Sequence, residues 1–147
     1  MKIQVVKNLN DEVVITIACP EVNDEIKAII NQLESFSMTL IGKSEIGNTV
    51  LPLNDIYYFE AVDNKVFAYV KDNVYEVDKK IVELNELLKK TSFIQVSRTV
   101  ILNINNVLRI QTLVNGRLLA LLTNGEKLII TRLYAKDFKD KLKGGRR

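Results

Sequence analysis

The sequence predicts a mainly β domain over residues 37–142, preceded by a small ββα extension over residues 1–36. Three observations predict it. From Met38 the chain breaks into short runs rich in β-branched and aromatic residues, bounded by polar turn residues. Hairpin signals recur at Asn115-Gly116 and Asn124-Gly125, which supply residues that accept a positive φ. Helical spacing of apolar residues is confined to short stretches near residues 21–34, 79–90 and 135–142.

The elements follow in order. Residues 2–7 and 12–18 are β-rich; Val13, Val14, Ile15 and Ile17 mark the second, and Asn8-Leu9-Asn10-Asp11 is the turn between them. Cys19-Pro20 ends that strand. A helix is expected over 21–34, with Glu21, Asp24 and Glu25 in the first turns, where the dipole favours acid. Its Ile26, Ile29, Ile30 and Leu33 form one apolar face. A ββα unit this small cannot bury a core alone, so that face must pack on the rest of the chain or on another chain. Strands are expected at 39–43 and 49–53, around the turn Glu45-Ile46-Gly47-Asn48, and Pro52 marks an edge or a strand end. Ile56-Tyr57-Tyr58-Phe59-Glu60 is an aromatic strand. Asp63-Asn64-Lys65 turns it into 66–70, and Lys71-Asp72-Asn73 leads to 74–77. The helix of 79–90 carries Ile81, Leu84, Leu87 and Leu88 as its apolar stripe. Apolar runs flank Ser97-Arg98-Thr99, and further strands are expected at 107–110, 117–122 and 126–130. A short helix over 135–142 closes the domain, and residues 143–147 read as a flexible tail.

Composition narrows the function. The chain has 147 residues, about one domain, with 47% hydrophobic and 27% charged residues. No apolar run approaches the roughly 20 residues needed to span a membrane. The start, Met1 to Lys7, is charged too early for a secretory signal. A cytoplasmic protein is expected, and the single Cys19 suits a reducing compartment. Histidine is absent, which removes the commonest general base and metal ligand. No glycine-rich phosphate loop, metal-ligand spacing or carboxylate dyad is present, so neither an enzyme nor a cofactor is expected. Charge is uneven. Residues 1–36 hold three basic and six acidic residues, a net −3, whereas residues 37–147 hold 18 and 12, a net +6. A polyanionic partner is therefore a question for the β domain, although a +6 surface is also an ordinary solvated one.

Three polar corners remain: Asp63-Asn64-Lys65, Ser97-Arg98-Thr99 and Thr131-Arg132. Two of them put an arginine beside a hydroxyl at the mouth of an apolar strand. That arrangement suits phosphate or a base edge. The plainer reading is an ordinary turn whose arginine is solvated or bonds strand-end carbonyls.

The order of these motifs resembles a known family. Ile56-Tyr57-Tyr58-Phe59-Glu60 with Asn64-Lys65 looks like the aromatic strand and first recognition loop of the LytTR-type DNA-binding domain of bacterial transcription regulators. Leu84 through Phe93 resembles its helix and lead-in. Gln95 through Val107 is similar to its central motif, and Thr131-Arg132-Leu133-Tyr134 with Phe138 resembles its closing signature. The resemblance covers residues 38–142. It implies layered antiparallel β-sheets with short helices, and reading of double-stranded DNA by loops. It places Lys65, Arg98 and Arg132 at base-contact positions, and Asn64, Ser97 and Thr99 at supporting base or phosphate contacts. Thr99 stands where serine is common, which preserves the hydroxyl. Only 36 residues precede the domain, where a receiver module would need roughly a hundred, so a stand-alone regulator is expected and control by phosphorylation is not. Some stand-alone relatives are restrained by a membrane-protein partner, which is a partner expected here too. Residues 1–36 are expected to form a homodimer or to dock a partner that controls dimerisation, with packing on their own β domain as the competing arrangement. The competing function is a β-scaffold interaction or sensor module without DNA contact.

Overall fold

The computed structural model describes residues 1–145. Helix α1 (Asp24–Phe36) is followed by strands β1 (Thr39–Ser44), β2 (Gly47–Pro52), β3 (Tyr58–Val62), β4 (Lys65–Tyr69) and β5 (Val74–Val77). Helix α2 (Ile81–Leu87) precedes β6 (Phe93–Gln95), β7 (Val100–Asn103), β8 (Val107–Thr112), β9 (Leu118–Leu122) and β10 (Lys127–Ile130), and α3 (Arg132–Gly145) ends the described chain. The first seven strands form one antiparallel sheet in the order β2-β1-β5-β4-β3-β7-β6, and β10-β9-β8 form a second. Pro52 is the last residue of the edge strand β2, where its missing N–H leaves no ladder bond broken.

The centre of the large sheet, around β3, β4 and β7, is covered on both faces, and the alternation of its side chains divides the core in two. On one face Phe59, Ala68 and Ile101 pack with Leu84 and Leu88 of the α2 segment, and the Phe59 and Phe93 rings meet at 5.5 Å. On the other, Tyr58, Val100 and Leu102 pack beneath the small sheet and against Ala135 and Phe138 of α3. β7 lies between both layers, so all four of its residues are buried. Its last residue, Asn103, is only 1% exposed and is hydrogen-bonded through both polar atoms of its side chain. Its Oδ1 accepts from Ser92 Oγ (2.7 Å) and the Asn105 N–H (3.1 Å), and its Nδ2 donates to the Ile56 carbonyl (3.1 Å). Lys141 of α3, which packs beside β6, donates to the Phe93 carbonyl at 2.9 Å, and burial holds its pKa below the ordinary lysine value.

Tyr58 and Tyr69 face each other across β3 and β4, with rings stacked at 4.3 Å. The Tyr58 hydroxyl donates to Glu126 Oε2 at 2.6 Å, and Tyr69 donates to Glu60 Oε1 at 3.2 Å. Glu60 is thus a bonded structural carboxylate. Burial raises both phenol pKa values above 10.0, and the neighbouring Glu126 and Glu60 raise them further. The folded state therefore keeps protons that the unfolded chain releases. Their stabilisation is complete below pH 10 and is lost as pH rises through the raised values. Denaturant unfolding from pH 9 to 11 is expected to show stability falling with pH, with a shallower fall in Tyr58→Phe. Equal slopes would exclude Tyr58 as a source.

Two expectations are corrected. No strand forms over residues 1–23, so the extension is a single helix behind an extended arm and not a ββα unit. The turn is present, since Asn8 Oδ1 accepts from the Asn10 N–H at 3.2 Å. β-propensity describes fit to a pleated, half-buried surface, and an isolated hairpin finds none. The helix of the extension starts later, because Asn23 Oδ1 caps the Ile26 N–H at 3.0 Å. It packs by the 3-10 turn Leu53–Asp55, with Ile26, Ile29, Ile30 and Leu33 half-buried. Second, α3 begins three residues early and continues through Lys143 to Gly145, which the sequence assigned to a flexible tail. Arg146 and Arg147 of that tail lie outside the described residues.

Candidate nucleic-acid interface

The three corners come together at one end of the large sheet. β3 and β4 are joined by Asp63 (φ 51°) and Asn64 (φ 63°), a two-residue hairpin turn that suits strand twist. β7 is antiparallel to β3, with Glu60 opposite Val100, so the loop before β7 emerges beside that turn. The Ala61 N–H donates to the Thr99 carbonyl at 2.8 Å and ties the two corners. The third corner docks on the second: the Val96 carbonyl accepts from the Thr131 N–H at 3.0 Å and from Thr131 Oγ1 at 3.4 Å. Backbone hydrogen bonds therefore unite turns that lie far apart in sequence.

Within the second corner, Val96 N–H to the Val100 carbonyl (3.0 Å) closes the loop, and Ser97 Oγ accepts from the Thr99 N–H at 3.3 Å. The Ser97 and Thr99 hydroxyls stand 3.5 Å apart. Arg98 at the apex is exposed, as are Arg132, Asn64 and Lys65. Among the described residues, neither the Arg98 nor the Arg132 guanidinium has an ion pair or a hydrogen bond. Lys65 Nζ lies 3.7 Å from Glu76 Oε1, an exposed pair of little energetic weight. The structure thus brings all six sequence-selected residues to one end and leaves both arginines unpaired.

Three basic residues at this end were not selected from sequence. β5 runs antiparallel to β4 with Val77 opposite Val66, so Lys79 and Lys80 follow it to the same edge and line a shallow groove with Asn64 and Lys65, where Glu76, Asp78 and Glu83 offset the three lysines. Arg117 follows the turn Val114–Gly116, where Asn115 (φ 63°) and Gly116 (φ 77°) take left-handed backbone. That turn lies under Arg132: a Cβ on Gly116 would stand 3.1 Å from Arg132 Cγ. The signal for these residues was their charge, but only strand register moves them to the corner.

Fold and site define a class: a β-scaffold domain that presents basic loops from one sheet end, a surface fit for an extended anion. The family follows from comparison. The profile of the LytTr DNA-binding domain matches residues 47–143, and the chain belongs to that family. A solved LytTr DNA-binding domain from Bacillus cereus superposes with a TM-score of 0.67 at 27% identity, covering 71% of this chain and 95% of that one. The sensory transduction protein LytT of Enterococcus faecalis is 34% identical over 88 residues, 60% of this chain and 36% of its own length. LytT of Bacillus cereus is 30% identical over 123 residues, 84% of this chain. The chain spans about a third to a half of these two relatives. An HTH-type transcriptional regulator of Staphylococcus aureus is 26% identical over 145 residues, 97% of this chain and 98% of the relative. In this chain strands separate every successive pair of α-helices, so no helix-turn-helix occurs among the described residues. Nor is any described helix long and apolar enough to cross a membrane.

Proposed function

We propose that this chain is a sequence-specific DNA-binding transcription regulator of the bacterial cytoplasm. The observation that carries the reading is the pair of unpartnered arginines on hydrogen-bonded loops at one basic sheet end. Arg98 and Arg132 read guanine edges, where a planar fork of donors meets the O6 and N7 acceptors. Lys65 and Asn64 contact a base or phosphate in the neighbouring groove. Ser97 and Thr99 hold their loop and meet phosphate. Lys79, Lys80 and Arg117 add phosphate contacts that fix orientation without reading sequence. The protein acts as a homodimer joined through residues 1–23, whose apolar side chains are bare. The same arm is what favours the competing reading, a protein-interaction module without DNA contact.

Titrating selected promoter DNA against salt separates the two. Each neutralised phosphate contributes a slope of about −0.9 to log K against log salt. A slope steeper than about −3 is expected. A complex indifferent to salt, or no complex at low salt with any sequence from a random pool, would remove the DNA reading.

A further inference from the structure

Leu133 has no packing role in the domain. It is 87% exposed, while Ala135 and Phe138 of the same helix are buried and Tyr134 packs on the core. It directly follows Arg132, whose aliphatic stem rests on the Val114–Gly116 turn. Val114 in that turn is itself 72% exposed. Single exposed apolar side chains need no explanation, but these two border the same arginine at the basic end. Backbone hydrogen bonds lie close to both. Leu133 is held two residues from the Thr131–Val96 hydrogen bonds, and the turn is closed by the Leu113 N–H donating to the Arg117 carbonyl at 2.9 Å.

The major groove offers one apolar group, the thymine 5-methyl, beside the two acceptors of guanine that match an arginine. We infer that Leu133 contacts the methyl of a thymine next to the base met by Arg132. The preferred site therefore carries a thymine adjacent to that guanine. This inference rests on the reading of Arg132 as a base contact.

The test uses the full chain and the DNA selected from a random pool. Each thymine is replaced in turn by deoxyuridine, which removes the methyl and keeps the pairing. One replacement is expected to weaken wild-type binding about four-fold, the effect of one buried methyl group. Leu133→Ala should lose about as much on the thymine site and be indifferent to that uracil. Wild-type binding unaffected by uracil at every position overturns the inference, as does Leu133→Ala with undiminished sensitivity to it. The uracil series needs no variant, so folding does not confound it. Arg132→Ala run in parallel distinguishes the two levels. A loss with Arg132→Ala but none with uracil removes the methyl contact alone. No loss with either removes the base-reading role of this corner as well.

Discussion

Arg98→Ala and Arg132→Ala are each expected to weaken binding to the specific DNA by about 1–3 kcal/mol, roughly 5–150-fold, and to relax base preference at one position. Both guanidinia are exposed and lack internal partners among the described residues, so their removal breaks no ion pair or hydrogen bond and costs only the packing of the Arg132 stem on the Val114–Gly116 turn. Their loops are held by backbone: Val96 to Val100 and Ala61 to Thr99 in one case, Thr131 to Val96 in the other. Thermal unfolding should therefore stay within about 0.5 kcal/mol of the parent, as for surface changes generally. Arginine-to-lysine variants separate base from phosphate contact. Lysine keeps the charge and lacks the planar fork, so Arg98→Lys should lose preference while keeping the salt slope. A phosphate contact would behave oppositely: the lysine variant would bind normally, and alanine would reduce the slope by about one. An alanine variant with full affinity and unchanged preference would remove that arginine from the reading surface. One that unfolds would make it structural.

Removing residues 1–23 is expected to halve the mass of the protein in solution and to weaken binding to paired half-sites far more than to one. Nine large apolar residues between Met1 and Val22 are at least 62% exposed. At about 1.5–3 kcal/mol and 25 cal/mol/Å² per buried side chain, each offers about 60–120 Å². Together they offer about 500–1,100 Å² per protomer, against the roughly 800 Å² per partner of a standard interface. The arm forms no strand over its β-rich segments, and a second copy can supply the missing strand partner. Residues 1–23 hold two basic and three acidic residues, a net −1, so their charge does not draw them to DNA and they are left to protein contact. Two linked reading surfaces then gain about 10²–10⁴ in avidity by effective concentration. Sedimentation and half-site titration check both outcomes. A full-length protein that stays monomeric at high micromolar concentration, free and on DNA, would end the dimer proposal. The arm would then belong to another protein, such as the membrane partner that the family resemblance implies.

The two ends of the chain differ in how far they could be read. Between Thr39 and Ile130 the strands follow their residues closely, because side chains that alternate with period two have one face to bury. Asp63-Asn64 and Asn115-Gly116 announce turns because few other residues accept positive φ. Residues 2–7 and 12–18 carry the same composition and make no strand. Propensity favours extended backbone but cannot provide a neighbour to bond it.

By itself the sequence determined a domain of short antiparallel strands, the places of its turns, the lack of histidine chemistry, and the arginine-bearing corners. Tertiary structure alone decided that those corners form one surface. Thr131 meets Val96 across 35 positions, and Ala61 meets Thr99 across the β3–β7 pairing. No local pattern encodes such contacts, because they depend on which strands neighbour each other in the sheet. For the same reason Lys79 and Lys80 read only as the start of a helix in sequence. Antiparallel pairing of β5 with β4 is what carries them to Asn64 and Lys65.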